Sequence, residues 1–251
     1  MNNFSDQKKG SLLAFVAVMF ITPDSLFIRL SNVDTWGLVF YRGAIPFFTV
    51  LIGMLLIYKA EFFKMLLNSG RHGIIYIATF SVTNIAFVVS IQNTNVANTL
   101  VMIAMAPMLS AVLGAIFLKE MPDNKTWVAI GAVTIRSAKK KNLVPAAVVG
   151  KLFVAVFAMF FIETYALVDL DLYIIPLMCI MCVAIPFVLV TIAPRFIPAE
   201  EVNLFFLLET IIGPFWVWMV IKEQPSIETI TGGAVIIFTI AVHSYLKLKN
   251  S

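Results

Sequence analysis

A carboxylate side chain, Glu209, lies near the middle of an apolar segment, residues 202–221, that is long enough to cross a bilayer. An ionisable group at membrane depth costs about 2.5–3.5 kcal/mol on insertion scales, so its presence indicates a function or a compensating partner. One interpretation is a cavity-facing site for a substrate amine or a proton. The other is a protonated or hydrogen-bonded structural carboxyl between packed helices.

Two further charged residues, Asp24 and Arg42, lie in the first two apolar segments. These segments run antiparallel, and both residues fall at a similar depth toward the same side of the membrane. The pattern predicts an ion pair. We favour a structural role for this pair, and a role in substrate binding is the open alternative.

Uncharged polar side chains are also candidates for a substrate or coupling site. Within apolar segments such groups more often hydrogen-bond neighbouring helices than bind ligands; they are Tyr76, Asn84, Asn98 and Asn203. Trp216 and Trp218 are interpreted as an aromatic belt, and the alternative for Trp216 is the mouth of a cavity. Pro107 and Pro214 are predicted hinges, since proline frees a helical carbonyl.

Other chemistry has little support in the sequence. The two histidines, His72 and His243, lie near the ends of apolar segments, and no metal or nucleophile motif accompanies them. Cys179 and Cys182 have no histidine or acid beside them, which favours packing over redox or metal chemistry. We therefore predict no enzyme activity, metal or cofactor, and an intramembrane enzyme is the least favoured alternative.

The segments that must position these residues are long and apolar. The chain has 251 residues, of which 61% are hydrophobic and 13% charged, whereas soluble domains have about 25% charged residues. This composition predicts an all-α polytopic membrane protein whose bilayer is a partner. Eight spans are predicted, at residues 11–30, 35–58, 72–91, 96–118, 143–162, 173–194, 202–221 and 230–248. Residues 59–71 are predicted to form a loop, and Lys151 is predicted to mark the wet end of its span.

A ninth apolar segment, residues 127–135, is too short to span, since nine helical residues rise only about 13–14 Å. If this stub does not cross, 14 of the 18 lysines and arginines lie on the cytoplasmic side. The net charge of +4 is thus interpreted as topology and not as nucleic-acid binding. Both termini, residues 139–141 and Arg195 are predicted to be cytoplasmic.

An internal repeat relates the two halves of the chain. Lys119-Glu120-Met121-Pro122 recurs 103 residues later as Lys222-Glu223-Gln224-Pro225. The predicted topology places the two copies on opposite sides, which predicts inverted repeats at residues 1–136 and 137–251. Equal repeats would overlap, so about 40 residues, roughly two passes, are missing near residues 135–136.

The chain resembles the EamA-type drug/metabolite transporter superfamily along nearly its whole length. In the first half the resemblance lies in Thr22-Pro23-Asp24, Arg29, Tyr41-Arg42-Gly43, Asn98, Pro107 and Leu118-Lys119-Glu120. In the second half it lies in residues 193–202, Leu208-Glu209, Gly213-Pro214, Trp216-Val217-Trp218 and Gly232-Gly233.

This resemblance implies a multi-pass carrier of the bacterial inner membrane, built from two inverted five-helix repeats. Such carriers export or exchange small metabolites, often amino acids, through a central cavity by alternating access. Compared with that pattern, most of helices five and six are absent here. The alternative function is therefore a truncated, transport-inactive relic or a chain that needs a partner, and a homodimer would cover the gap.

Overall fold

The computed structural model describes residues 3–59, 61–104, 144–193, 196–197 and 199–225, with residues 227, 230, 231 and 234 beyond them. The regular elements among these residues are helices, and no strand occurs among them. The α-helices are α1 (Asn3–Ile21), α2 (Asp24–Leu30), α3 (Thr35–Tyr58), α4 (Glu61–Asn93), α5 (Val96–Ala104), α6 (Val144–Ala158), α7 (Asp171–Met178), α8 (Ile185–Ile192) and α9 (Ala199–Ile221). A π-helical turn, Cys179–Ala184, joins α7 to α8.

Four helical stretches in the described part of the chain are long and apolar enough to cross a membrane. They are Gln7–Leu30, Thr35–Tyr58, Gly73–Asn93 and Asp171–Ile192. Two shorter apolar helices, Val144–Ala158 and Leu208–Ile221, accompany them. The prediction of an all-α polytopic membrane protein is confirmed.

The first span breaks at Pro23, between α1 and α2. Proline has no amide hydrogen and clashes with the preceding turn, so the helical hydrogen bonding cannot continue through it. The Thr22 hydroxyl donates to the carbonyl of Met19 over 3.0 Å, and Asp24 opens α2. Thr22, Asp24 and Ser25 are all buried, so this break places polar groups inside the bundle.

Helix α6 packs against α3 and α4 through glycine. A Cβ atom at Gly43 would lie 2.6 Å from the backbone nitrogen of Ala155 and 2.8 Å from the carbonyl oxygen of Lys151. A Cβ atom at Gly150 would lie 2.8 Å from the ring of Phe80 on α4. The absence of side chains at these two positions lets the helices approach closely, as small residues do in membrane bundles.

The segment predicted as a loop at residues 59–71 is largely helical, and that prediction is wrong. Helix α4 begins at Glu61 and kinks at Gly70, whose φ of 56° is in the left-handed region. Phe62 is buried and packs with Val50 and Met54 of α3. The polar residues of the segment favoured a loop, but burial of the Phe62 side chain against α3 stabilises a helix there.

The span formed by α7 and α8 changes its winding in the middle. Pro176 lies inside α7, and the π-helical turn follows at Cys179. The turn packs against α3, and the Cys179 thiol donates to the Tyr41 carbonyl over 3.5 Å. Both cysteines are free and buried, which agrees with a packing role.

Several predictions concern residues outside the described part of the chain. They are Pro107 and the rest of residues 105–118 in the span predicted at 96–118, the stub at residues 127–135, Lys139–Lys141, Arg195, most of the last span predicted at residues 230–248, the junction at residues 135–136 and the side chain of Asn203. The predicted division into residues 1–136 and 137–251 also stays a prediction.

Candidate functional site

The predicted ion pair between Asp24 and Arg42 is present in the bundle interior. Arg42 Nη2 donates to Asp24 Oδ2 over 2.8 Å, and Nη1 donates to Oδ1. Both residues are buried, at 4% and 7% exposure. The guanidinium also lies over the ring of Phe87, 5.6 Å from its centroid. This bidentate geometry joins the first turn of α2 to the N-terminal third of α3.

Glu209 lies on α9, half-buried, and interacts electrostatically with Asp24 first and Arg42 second. Within the described residues, no hydrogen bond or ion pair to its carboxylate is present. The charge of Arg42 is already matched by Asp24. Glu209 is therefore an additional acidic group beside a pair that is neutral as a whole.

Helix α9 contacts the break of the first span directly. A Cβ atom at Gly213 would lie 2.7 Å from Leu100, 3.5 Å from the Ser25 hydroxyl and 3.7 Å from the Thr22 carbonyl. One turn further, Trp216 Nε1 donates to the Thr22 hydroxyl over 3.3 Å. The half-buried Trp216 thus belongs to this contact, while Trp218 is 44% exposed on the surface.

Lys151 is buried, and the prediction that it marks the water-exposed end of its span is wrong. It is only 5% exposed, near the middle of α6. Its ammonium group donates to Asn84 Oδ1 and lies 5.3 Å from the centroid of the Phe80 ring. Close contacts at Gly43 and Gly150 hold α6 against α3 and α4 and bury Lys151. These contacts join residues far apart in the chain, so the local sequence around Lys151 did not indicate them.

Two predicted polar residues, Tyr76 and Asn84, gather around Lys151. Asn84 Nδ2 donates to the Phe80 carbonyl over 2.7 Å, which turns its Oδ1 toward the lysine. The Tyr76 ring stacks on Phe80 with centroids 5.6 Å apart. The other candidates lie apart: Asn98 is exposed on α5, and Pro214 lies within α9.

Two further ionisable groups, one basic and one acidic, lie near the Asp24–Arg42 pair. Lys151 interacts electrostatically with Arg42 and Asp24, as Glu209 does. Helix α9 packs against α2, while α6 packs against α3. Glu209 on α9 and Lys151 on α6 therefore both lie near the Asp24–Arg42 pair.

A second polar cluster, which we call the Arg29 network, ties together the loops at one end of the bundle. Arg29 Nη2 lies 3.2 Å from Glu223 Oε2, and Arg29 also donates to the carbonyls of Gln92 and Thr94. Glu223 Oε1 accepts from the amide of Val96 over 2.9 Å. The second copy of the repeated Lys-Glu motif thus bonds to the end of α2 and the start of α5.

Buried charge at the centre of a multi-span helical bundle is typical of membrane transporters. Within the described residues, no group of histidine, cysteine and acidic side chains is arranged to hold a metal. The model of the EamA-like transporter family matches residues 8–136, just over half of the chain. The chain belongs to this family, and the resemblance stated from the residues is confirmed. Comparisons with curated proteins and with solved structures found no match.

The matched range ends at residue 136, the last residue of the predicted first repeat. It contains Asp24, Arg42 and Asn84, whereas Lys151 and Glu209 lie beyond it. The site therefore combines residues of the matched half with residues of the second half.

Proposed function

We propose that this chain carries small metabolites such as amino acids across the bacterial inner membrane, as an exporter or exchanger that works by alternating access. Family membership supports transport in general. The substrate class and the mechanism rest on the charged groups within the bundle. In this proposal, residues 1–136 and 137–251 are inverted repeats that rock about a site between them.

The observation that carries the proposal is the position of Glu209. Its carboxyl is half-buried beside the Asp24–Arg42 pair and has no bonded partner among the described residues. A charge at that depth needs compensation, and a substrate amine or a proton supplies it. We infer that Glu209 is the group that binds the amine or the coupling proton.

The broken first span supports the same role. Transporters commonly place interrupted helices at the binding site, because the break exposes polar backbone beside the substrate. Here the break at Pro23 faces α9 through Gly213 and Trp216. Pro214, on the same helix, is the hinge about which we propose that α9 bends.

Counterflow in proteoliposomes tests the proposal. Vesicles containing the purified chain are loaded with unlabelled amino acids, and the uptake of a labelled amino-acid mixture is measured. We expect uptake by the wild type and a loss of about tenfold or more in Glu209→Gln, since a charged hydrogen bond is removed. The midpoint of thermal unfolding of Glu209→Gln should stay the same or rise, because the substitution removes a buried charge that has no bonded partner among the described residues.

Glu163→Gln is the matched control, because it makes the same change at an exposed carboxyl in the segment after α6. It should leave uptake unchanged. Normal uptake by Glu209→Gln would contradict the role of Glu209. A folded wild-type chain that takes up no substrate would overturn the transport proposal and favour a truncated, inactive chain.

A further inference from the structure

The Arg29 network joins the two halves of the chain at one end of the bundle. Arg29 lies at the end of α2, within the half that matches the family, and Glu223 lies directly after α9, in the second half. Their side chains form an ion pair with Arg29 Nη2 3.2 Å from Glu223 Oε2. A second contact crosses between the halves at the same end, where the Asn32 amide donates to the Asp171 carboxylate over 3.2 Å.

Glu223 is the centre of this network, because its carboxylate bonds to two elements of the first half. Oε2 forms the ion pair with Arg29 of α2. Oε1 accepts from the amide of Val96 over 2.9 Å, at the first residue of α5, where the helix dipole favours negative charge. The neighbouring Gln224 carbonyl accepts from Asn95 Nδ2 over 3.3 Å. The segment after α9 thus holds α2 and the start of α5 together.

The bonds of the network are ones that water can replace. The Arg29 and Glu223 side chains are 24% and 21% exposed, so solvent reaches both. The Nε atom of Arg29 is buried and has no hydrogen-bond partner among the described residues. An unpaired buried donor destabilises the closed arrangement, and separation of the two halves at this end would let water bond to it. Both features reduce the free-energy difference between a closed and an open end.

The opposite end of the bundle is held by apolar contacts. In the first half of α1, a Cβ atom at Gly10 would lie 2.6 Å from the side chain of Ile197. Ile197 belongs to a buried cluster with Ala14, Ala193 and Val202. Separation of these side chains would expose apolar surface, which water does not compensate as it does a broken hydrogen bond. From the described conformation, the end with the Arg29 network therefore opens more readily.

We propose that Glu223 and Arg29 form a lock that closes this end of the bundle and releases to open it during transport. The inference rests on the proposed function and deepens it, since alternating access requires contacts between the repeats that break at one end at a time. Rocking of residues 137–251 against residues 1–136 parts Glu223 from Arg29 and Val96 together, because both contacts cross between the halves. The lock sets the balance between closed and open states and binds no substrate.

The distance across this end tests the lock without any transport. Spin labels are attached at Asn93→Cys, at the end of α4, and at Val220→Cys, in the last turn of α9; both positions are exposed. Because both lie on helices, fraying of the segment after α9 leaves their separation unchanged. The full chain, in a background that lacks Cys179 and Cys182, is measured by double electron–electron resonance in nanodiscs. We expect one main, short distance when Arg29 and Glu223 are intact.

Charge reversal distinguishes the lock from a passive contact. Glu223→Arg places two cations side by side, and we expect the ratio of long to short distances to rise about tenfold or more. Adding Arg29→Glu restores opposite charges and should return the ratio to within about threefold of the starting value. Glu163→Arg, the same change at an exposed carboxyl in the segment after α6, should leave the ratio unchanged. No rise in Glu223→Arg, or a rise that Arg29→Glu does not reverse, would overturn the proposal.

A milder variant and counterflow complete the test. Glu223→Gln removes the charge alone and should raise the ratio about threefold, which keeps the lock testable if Glu223→Arg does not fold. An unchanged ratio in folded Glu223→Gln would then overturn the lock. Counterflow by the wild type together with unchanged distances in the variants would refute the lock and leave the proposed transport standing. Charge-dependent opening without counterflow by the wild type would refute the transport and leave the lock standing.

Discussion

At the scale of single residues, the Asp24–Arg42 pair decides how charge is tolerated inside the bundle. Each member is nearly inaccessible, so each depends on the other for neutralisation. The sequence predicted this pair because the two residues lie at similar depth on consecutive spans. It also named Arg42 as a possible partner of Glu209, and the two groups do interact electrostatically. It did not predict that Lys151 lies near the same pair, since a helix distant in the chain brings it there.

Removing one member of the pair should cost far more than removing both. We expect Arg42→Gln to lower the free energy of unfolding by about 3–5 kcal/mol, because it leaves the Asp24 carboxylate buried without its cation. Adding Asp24→Asn should restore most of that loss. Thermal or denaturant unfolding in nanodiscs measures both, with Arg71→Gln at an exposed position as the control. A double variant no more stable than Arg42→Gln would show that the pair is not energetically coupled.

At the scale of elements, four of the eight predicted spans occur among the described residues as helices long and apolar enough to cross a membrane, whereas the span predicted at residues 143–162 is the shorter helix Val144–Ala158. Residues 35–58 form one helix with the predicted bounds, and the predicted spans at 72–91 and 173–194 correspond to Gly73–Asn93 and Asp171–Ile192. What the composition did not indicate was the packing between spans. The helical turn that buries Phe62 and the buried position of Lys151 both depend on contacts with other helices.

The crossing of α3 and α6 should be sensitive to a single methyl group. In Gly43→Ala the new Cβ atom would meet backbone atoms of Ala155 and Lys151, which cannot rotate away as a side chain would. We expect a loss of about 1–3 kcal/mol in unfolding free energy. Gly53→Ala, on the same helix, places its methyl group in open space and should be neutral or stabilising by up to about 1 kcal/mol.

Thermal unfolding of the two alanine variants in nanodiscs checks the packing of α6. Because both variants change glycine to alanine within α3, their difference isolates the contact from helix propensity. Equal stabilities would mean that α6 lies farther from α3 than the distances at Gly43 indicate.

At the scale of the whole molecule, the two ends of the bundle differ in charge. The Arg29 network lies at one end of the bundle, where Lys222 also lies. The loops at this end are joined to one another by an ion pair and hydrogen bonds. The opposite end of the described bundle carries more cations, namely Lys8, Lys9, Lys59, Lys64 and Arg71. Since lysine and arginine concentrate on the cytoplasmic side, this asymmetry favours an external position for the Arg29 network.

Single cysteines test this orientation in intact cells, in a background that lacks Cys179 and Cys182. We expect Gln224→Cys, three residues beyond the end of α9 and beside the Arg29 network, to react rapidly with a membrane-impermeant thiol reagent. Ser137→Cys and Ser251→Cys should react only after the cells are permeabilised, because both positions are predicted to be cytoplasmic. Rapid labelling at position 137 together with protection at 251 would mean that the stub at residues 127–135 crosses the membrane. Protection at 224 with labelling at 251 would instead invert the whole chain and place the Arg29 network in the cytoplasm.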